Sequence, residues 1–128
     1  MTKKILIADD NLFNRELLED ILKRFKPYGV EIFSAENGPE AYEIAMREKP
    51  DLILLDIMMP GMSGHEICEK VKADPEMVKT YIIMVSARTQ QEDRMQAASV
   101  GADEYVTKPY DVRLIRERVQ KVLDINPV

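Results

Sequence analysis

Residues 52–56 read Leu-Ile-Leu-Leu-Asp, four large apolar residues followed at once by a carboxylate. The run is too short for a helix, and its unbroken apolar character is typical of a parallel strand that is covered on both faces. Four other short runs rich in Ile, Val and Leu are interpreted as strands for the same reason. They are Lys4–Ala8, Glu31–Ala35, Tyr81–Val85 and Glu104–Val106.

The segments between these runs carry apolar residues at helical spacing. Five alternations of strand and helix with short connections favour right-handed crossovers and an open sheet over a closed barrel. We therefore predict an α/β fold of flavodoxin-like type, in which a doubly wound, five-stranded parallel sheet lies between two layers of helices. The first helical segment has its apolar residues at Leu17, Leu18, Ile21, Leu22 and Phe25, and the last at Val112, Ile115, Val119 and Val122.

Several residues mark the predicted ends of the helices. Proline is favoured in the first turn, a Ser/Thr-x-x-Glu pattern forms a capping box, and glycine commonly ends a helix. These signals are Gly38-Pro39, Ser63-x-x-Glu66, Thr89-x-x-Glu92 and, as the stop of the fourth helix, Gly101.

Composition favours one globular domain. The chain has 128 residues, of which 45% are hydrophobic and 32% charged, enough for one core and too apolar for a disordered chain. Its longest apolar runs are far shorter than the roughly 18–20 residues that a membrane span needs. We expect a single domain over residues 1–128, with a core at about 3–123 and a C-terminal tail at 125–128.

Charge and cysteine content point to the compartment and the partners. Cys68 is the only cysteine, which excludes an internal disulfide and a cysteine-based zinc site and agrees with a reducing compartment. The 23 acidic and 18 basic residues give a net charge of −5, and the basic residues are scattered along the chain. We expect a cytoplasmic protein that contacts neither a membrane nor nucleic acid directly.

Polar residues follow four of the five predicted strands. In an open α/β sheet, the ligand site lies beyond the carboxyl ends of the strands. The second strand is the exception, because it ends in Ser34-Ala35-Glu36 without a reactive group. That contrast fits the strand order 2-1-3-4-5, with strand two at an edge. The four polar strand ends are Asp9-Asp10, Asp56, Ser86 and Thr107-Lys108-Pro109.

Asp9, Asp10 and Asp56 would converge in this arrangement. Three crowded carboxylates repel one another unless a cation lies among them. Mg²⁺ prefers oxygen ligands and uses one or two carboxylates together with a phosphate oxygen. Beside such a metal, Asp56 could act as a nucleophile and take a phosphoryl group as an acyl phosphate, with Lys108 and Ser86 holding the phosphoryl oxygens.

The chain resembles the receiver domain of two-component response regulators, in particular single-domain receivers of the chemotaxis-regulator type. The resemblance extends from about residue 3 to residue 123. The residues that carry it are Asp9-Asp10, the stretch Leu54-Leu55-Asp56-Ile57-Met58-Met59-Pro60-Gly61-Met62-Ser63-Gly64, Ser86-Ala87, and Gly101-Ala102-Asp103-Glu104-Tyr105-Val106-Thr107-Lys108-Pro109.

The resemblance implies that Asp56 accepts a phosphoryl group from a histidine kinase or a histidine phosphotransfer protein, in a reaction that the domain itself catalyses. It implies Mg²⁺, with Mn²⁺ as an alternative, bound directly by Asp10, Asp56 and the Met58 carbonyl and through water by Asp9. It also implies a cis peptide between Lys108 and Pro109, which proline permits.

The same resemblance implies a switch in which Ser86 moves toward the phosphoryl group and Tyr105 changes rotamer. The output surface would be helix four, strand five and helix five, offered to a downstream protein or an attached output domain. Residues 90–100 contain Met95 as their only large apolar residue apart from Val100, so we expect helix four to be weakly anchored. The protein would be a monomer or a phosphorylation-dependent dimer.

Two positions that tune the lifetime of the phosphoryl group in the family hold Met58 and Arg88. Met58 cannot position an attacking water, so slow autodephosphorylation is expected. Phe13, early in the first helix, lies off the apolar stripe of that helix, and we hypothesise that it meets the phosphodonor.

Two other functions are compatible with parts of this pattern. A degenerate receiver would act as a docking module without phosphate, but each expected polar residue is present. A phosphatase of the haloacid-dehalogenase type also uses an Asp nucleophile with Mg²⁺, but its second aspartate, two residues beyond the first, is replaced here by Met58.

Overall fold

A computed structural model describes residues 2–87 and 90–125 and contains five strands and five α-helices in alternation. In chain order they are β1 (Lys3–Ala8), α1 (Leu12–Leu22), β2 (Val30–Ala35), α2 (Gly38–Glu48), β3 (Leu52–Leu55), α3 (Gly64–Ala73), β4 (Tyr81–Ser86), α4 (Gln91–Ser99), β5 (Glu104–Thr107) and α5 (Val112–Leu123).

The five strands form one parallel sheet in the order β2-β1-β3-β4-β5. This confirms the predicted strand order and fold class. Ala8 lies opposite Leu55 where β1 and β3 are paired, and Ser86 lies opposite Thr107 where β4 and β5 are paired. The residues that follow β1 and β3 therefore emerge side by side at the carboxyl edge of the sheet.

Two apolar cores lie on the two faces of the sheet, which gives the three layers. Alternate residues of β1 divide between them, with Ile5 and Ile7 in one core and Leu6 and Ala8 in the other. The first core is closed by α1 and α5, and the second by α2, α3 and a single residue of α4, Ala97. Within the described residues, no helix is long and apolar enough to span a membrane.

The helix boundaries follow the local signals in the sequence where the structure describes them. Ser63 accepts a hydrogen bond from the backbone N–H of Glu66, as expected at a helix N-terminus. Gly101 follows α4 with a φ of 98°, a left-handed conformation that glycine adopts without steric cost. Thr89, the other predicted cap, lies outside the described residues.

Several boundaries differ from the prediction. The first helix is α-helical only to Leu22, and Phe25 lies in a 3₁₀ helix at Lys23–Tyr28 that contains Pro27, whose missing N–H disfavours a continued α-helix. Ser86 and Thr107 belong to their strands rather than following them. Ile125, predicted in the tail, is buried in the core closed by α5, and residues 126–128 lie outside the described part of the chain.

Helix α4 is anchored by very few side chains. All nine of its residues are described, and only Asp93 and Ala97 among them are buried. Met95, the large apolar residue of this segment, is 64% exposed and does not serve as an anchor. The expected weak attachment is therefore present, and it rests on a smaller apolar contact than the sequence suggests.

Lys72 connects α3 to the far edge of the sheet. Its ammonium group donates hydrogen bonds to the carbonyl oxygens of Val78 (3.3 Å) and Thr80 (2.6 Å) and to Oδ2 of Asp103 (2.9 Å). The same oxygen of Asp103 accepts the backbone N–H of Ile82. One lysine therefore holds together the loop before β4 and the turn before β5.

We expect Lys72→Met to lower the free energy of unfolding by about 1.5–3 kcal/mol, because methionine keeps the apolar stem and removes a charged donor with three acceptors. Urea unfolding followed by circular dichroism measures the change. Lys79→Met, which alters an exposed lysine of the loop before β4, should change stability by no more than about 0.5 kcal/mol. Equal losses in both variants would contradict this account.

Candidate phosphoacceptor site

Three carboxylates meet at the carboxyl edge of β1 and β3. Asp9, Asp10 and Asp56 each offer an oxygen, and these oxygens all lie within 4.8 Å of one another. Asp9 is 2% exposed and Asp56 is 8% exposed, whereas Asp10 is open to solvent. The structure therefore brings the three aspartates singled out in the sequence into one partly buried cluster.

Backbone hydrogen bonds hold the two buried carboxylates in place. Oδ1 of Asp9 accepts the N–H of Asn11 (2.9 Å), and Oδ1 of Asp56 accepts the N–H of Met58 (3.2 Å). The guanidinium of Arg15 donates to the carbonyl oxygen of Asp9 at 2.8 Å. The Oδ1 atoms of both carboxylates are occupied by these N–H groups, and their Oδ2 atoms face one shared partner.

That partner is Lys108. Its ammonium group lies 2.8 Å from Oδ2 of Asp9 and 3.0 Å from Oδ2 of Asp56, and so forms an ion pair with both. The Lys108–Pro109 peptide is cis, and the backbone N–H of Lys108 donates to the carbonyl oxygen of Ser86 (2.8 Å). The lysine therefore joins the end of β5 to the ends of β1, β3 and β4.

The surroundings shift the pKa of both partners. Burial is the largest influence on Asp56 and raises the pKa of its carboxyl; Lys108 lowers that pKa, Asp9 raises it, and the net result is a raised value. Burial by itself would lower the pKa of Lys108, but its hydrogen bonds to Asp9 and Asp56 outweigh burial and raise it. Lys108 is thus a fixed cation at neutral pH.

The remaining predicted site residues lie around this cluster. Ser86 is buried at the end of β4, and Tyr105 is half-buried on β5 with the guanidinium of Arg94 4.8 Å from its ring centroid. Met58 is 56% exposed next to Asp56. Arg88 lies outside the described residues.

Arg15 and Arg94 contribute to the site but carry no signal in the sequence. Arg15 follows the cap Asn11 by one helical turn, and Arg94 faces β5 across a sequence gap of more than ten residues. An isolated arginine on a helix is normally a solvated side chain. Only the packing of the helices against the strand ends shows which residues these two reach.

An apolar cavity of about 360 Å³ adjoins Lys108. Phe13 forms part of its wall and is 71% exposed, so the acidic cluster with Lys108 is bordered by accessible apolar surface. The other residues that line the cavity are Asn14, Leu17, Ala87, Lys108, Pro109 and Tyr110.

The donor set fits a hard divalent cation. The cluster offers carboxylate oxygens without histidine or thiolate, and one carboxylate remains solvent-accessible. Mg²⁺ keeps several water ligands and is typically held by one or two carboxylates, which such a half-open cluster allows. An acidic cluster with a fixed lysine beside it can bind a cation together with a phosphoryl group.

The fold and this cluster define a receiver domain. The family model of the response regulator receiver domain matches residues 5–120, and the chain belongs to that family. It is 40% identical over 121 residues to the phosphate regulon transcriptional regulatory protein PhoB of Pseudomonas aeruginosa. The match covers 94% of this chain and 52% of PhoB, so the chain spans about half the length of this relative.

Solved structures agree with the family assignment. The signal receiver domain of a DNA-binding response regulator (merR) from Colwellia psychrerythraea 34H superposes with a TM-score of 0.89 at 26% identity, covering 95% of this chain and 98% of that one. The chemotaxis protein CheY4 of Vibrio cholerae superposes with a TM-score of 0.84 at 28% identity, covering 95% and 99%. The predicted family is confirmed, and neither the docking-only nor the phosphatase alternative is favoured.

We expect Asp56→Asn to raise the free energy of unfolding at pH 7 by about 0.5–1.5 kcal/mol, the size of one buried polar interaction. A carboxyl whose pKa is raised on folding binds its proton more tightly in the folded state, so its ionisation costs stability as the pH rises through that pKa. Asparagine avoids this cost. Urea unfolding at a series of pH values measures the difference.

The gain should shrink as the pH falls through the raised pKa of folded Asp56 and be absent below the ordinary carboxyl value of 3.8, where Asp56 is protonated in both states. Asp20→Asn is the control, because Asp20 is exposed and its pair with Lys23 lies on the surface. This variant should show little change in stability at any of these pH values. A loss of stability in Asp56→Asn at neutral pH would be inconsistent with a charge penalty at this position.

Proposed function

We propose that the chain is a phosphorylation-dependent signalling domain in which Asp56 accepts a phosphoryl group from the phosphohistidine of a histidine kinase or a histidine phosphotransfer protein. The observation that carries the proposal is the ammonium of Lys108, held between Oδ2 of Asp9 and Oδ2 of Asp56. A carboxylate that is partly buried beside a fixed cation is both a nucleophile and a place where a transferred dianion is stabilised.

The proposed transfer forms one bond and breaks one. A carboxylate oxygen of Asp56 forms a bond to phosphorus while the P–N bond to the donor imidazole breaks, and the electron pair of that bond returns to the imidazole. The N–H of Met58 and the ammonium of Lys108 orient the Asp56 carboxylate. Lys108 is then in reach of the new phosphoryl oxygens, which carry more charge than the carboxylate did.

The proposed metal is Mg²⁺, which Mn²⁺ could replace. Asp10, Asp56 and the Met58 carbonyl would hold it directly and Asp9 through water, and when bound it would neutralise charge on the phosphoryl oxygens. The domain would in this way promote its own phosphorylation and dephosphorylation without being a turnover enzyme.

The proposed output is a change in the surface formed by α4, β5 and α5. Ser86 lies buried at the end of β4 and could donate its hydroxyl to a phosphoryl oxygen, while Tyr105 on β5 would change rotamer. Phosphorylation adds up to two negative charges, which is enough to bias an element that is only weakly held. Helix α4, with Ala97 as its apolar anchor, is such an element.

The proposed partners are a phosphodonor and a protein or domain that receives the signal. The exposed Phe13 and the adjoining apolar cavity support docking of the phosphodonor beside Lys108. The receiving side would be a separate target protein or an output domain, as the partial coverage of PhoB allows.

We propose one receiver unit over residues 1–128, with its core at about 3–123, in the cytoplasm and away from membranes. It would be a monomer or a phosphorylation-dependent dimer. The scattered charges and the net charge of −5 support an output that does not pass through direct contact of this domain with nucleic acid.

Incubation with acetyl phosphate and Mg²⁺ should give a single phosphoryl adduct in the intact mass of this chain. Asp56→Asn should give none, because the amide is not a nucleophile here. Chelation of the metal with EDTA should strongly reduce the adduct. Asp51→Asn, which alters an aspartate that accepts the N–H of Lys4 away from the cluster, should be phosphorylated normally. Absence of the adduct under every condition would instead support phosphate-independent docking.

Met58→Asn should shorten the lifetime of the phosphorylated domain about threefold or more, because an amide at this exposed position can orient an attacking water and a thioether cannot. Decay of the adduct, followed by mass after removal of the donor, gives the rate. Met46→Asn alters a partly exposed methionine of α2 and should leave the rate unchanged. Rapid loss in the unmodified chain that Met58→Asn does not accelerate would argue against this role.

A further inference from the structure

Arg94 links the weakly anchored helix α4 to β5 by two contacts. Its guanidinium carbon lies 4.8 Å from the ring centroid of Tyr105, within the range of a cation–π interaction. Its Nη2 donates a hydrogen bond to the hydroxyl of Thr107 at 2.7 Å. Tyr105 and Thr107 are two residues apart on one strand, so both project from the same face of β5.

Thr107 connects this pair of contacts to the phosphoacceptor site. It is the last residue of β5, directly before Lys108, and lies opposite Ser86 of β4. The backbone N–H of Lys108 donates to the Ser86 carbonyl, and the Lys108 ammonium bridges Asp9 and Asp56. Arg94 therefore contacts the residue that directly precedes Lys108, the residue that would hold a new phosphoryl group.

These contacts matter because the rest of α4 is loosely held. Asp93 and Ala97 are its buried residues, and Ala97 is small. A planar guanidinium that lies over a ring and donates a hydrogen bond to a hydroxyl adds a specific attachment to such a helix. A shift of α4 would break both contacts, and a change of the Tyr105 rotamer would break the cation–π contact.

We propose that Arg94 is a positioning residue that holds α4, Tyr105 and Thr107 in their unphosphorylated arrangement, so that its two contacts oppose switching and must be broken for switching to occur. This inference rests on the proposed function, because it concerns the switch that phosphorylation of Asp56 would drive. An interaction present only in the unphosphorylated state lowers the population of the competent state and so weakens the apparent affinity for anything that selects it.

Beryllium trifluoride, a mimic of the phosphoryl group, supplies the test. With saturating Mg²⁺, Arg94→Gln should bind it about threefold to tenfold more tightly than the unmodified chain, as expected for loss of a cation–π contact and one hydrogen bond. Titration followed by ¹⁹F NMR measures the dissociation constant. Arg113→Gln removes an arginine of α5 whose side chain is 83% exposed, and it should bind like the unmodified chain.

The unfolding free energy of the same variants, measured without ligand and compared with the binding results, distinguishes a positioning role of Arg94 from a purely structural one. Release of a clamp lowers the stability of unliganded Arg94→Gln while it tightens binding of beryllium trifluoride. Unchanged or weaker binding by folded Arg94→Gln would overturn the proposal. If the unmodified chain fails to bind beryllium trifluoride with Mg²⁺, the proposed function itself fails and the inference falls with it; binding by the unmodified chain with no gain in the variant rejects the inference alone.

Discussion

The two ion pairs of Lys108 are the interaction on which the site depends. Asp9 and Asp56 are both buried and carry like charges, and a cation between their Oδ2 atoms is what makes that arrangement tolerable. The backbone fixes the positions of these carboxylates as well: the N–H of Asp56 donates to the carbonyl of Ala8, and the N–H of Asp9 to that of Ala35. Neither aspartate can move away from the other without breaking the ends of the sheet.

The helices differ in how firmly they are packed against the sheet. Helices α1 and α5 contribute several large buried residues to one core, while α4 contributes Ala97 to the other. Protein interiors are close-packed and resist continuous deformation, so motion concentrates where few apolar contacts hold an element. The fold therefore holds Asp9 and Asp56 on firmly packed strand ends, while α4 is attached by few apolar contacts and is the helix most easily displaced.

The sequence predicted the fold and the acidic cluster because both depend on features that are local. Short apolar runs define the strands, and parallel strands bring the residues that follow them to one edge of the sheet. The proximity of Asp9, Asp10 and Asp56 could therefore be predicted without knowledge of any interatomic distance. Arg15 and Arg94 could not be found in this way, since their partners are set by how helices pack on the sheet. The burial of Ile125 was not predicted either, because one apolar residue after a helix has no periodicity that would mark it as buried.

The order of residues at the end of β5 offers a physical route for the proposed switch. Tyr105, Thr107 and Lys108 are nearly consecutive, yet the first two contact Arg94 of α4 and the third contacts the carboxylates. The backbone beside Lys108 pairs with Ser86 on one side, and the Thr107 hydroxyl accepts a hydrogen bond from Arg94 on the other. The proposed coupling between site and helix would need no chain of intermediate residues, because the end of β5 contacts both.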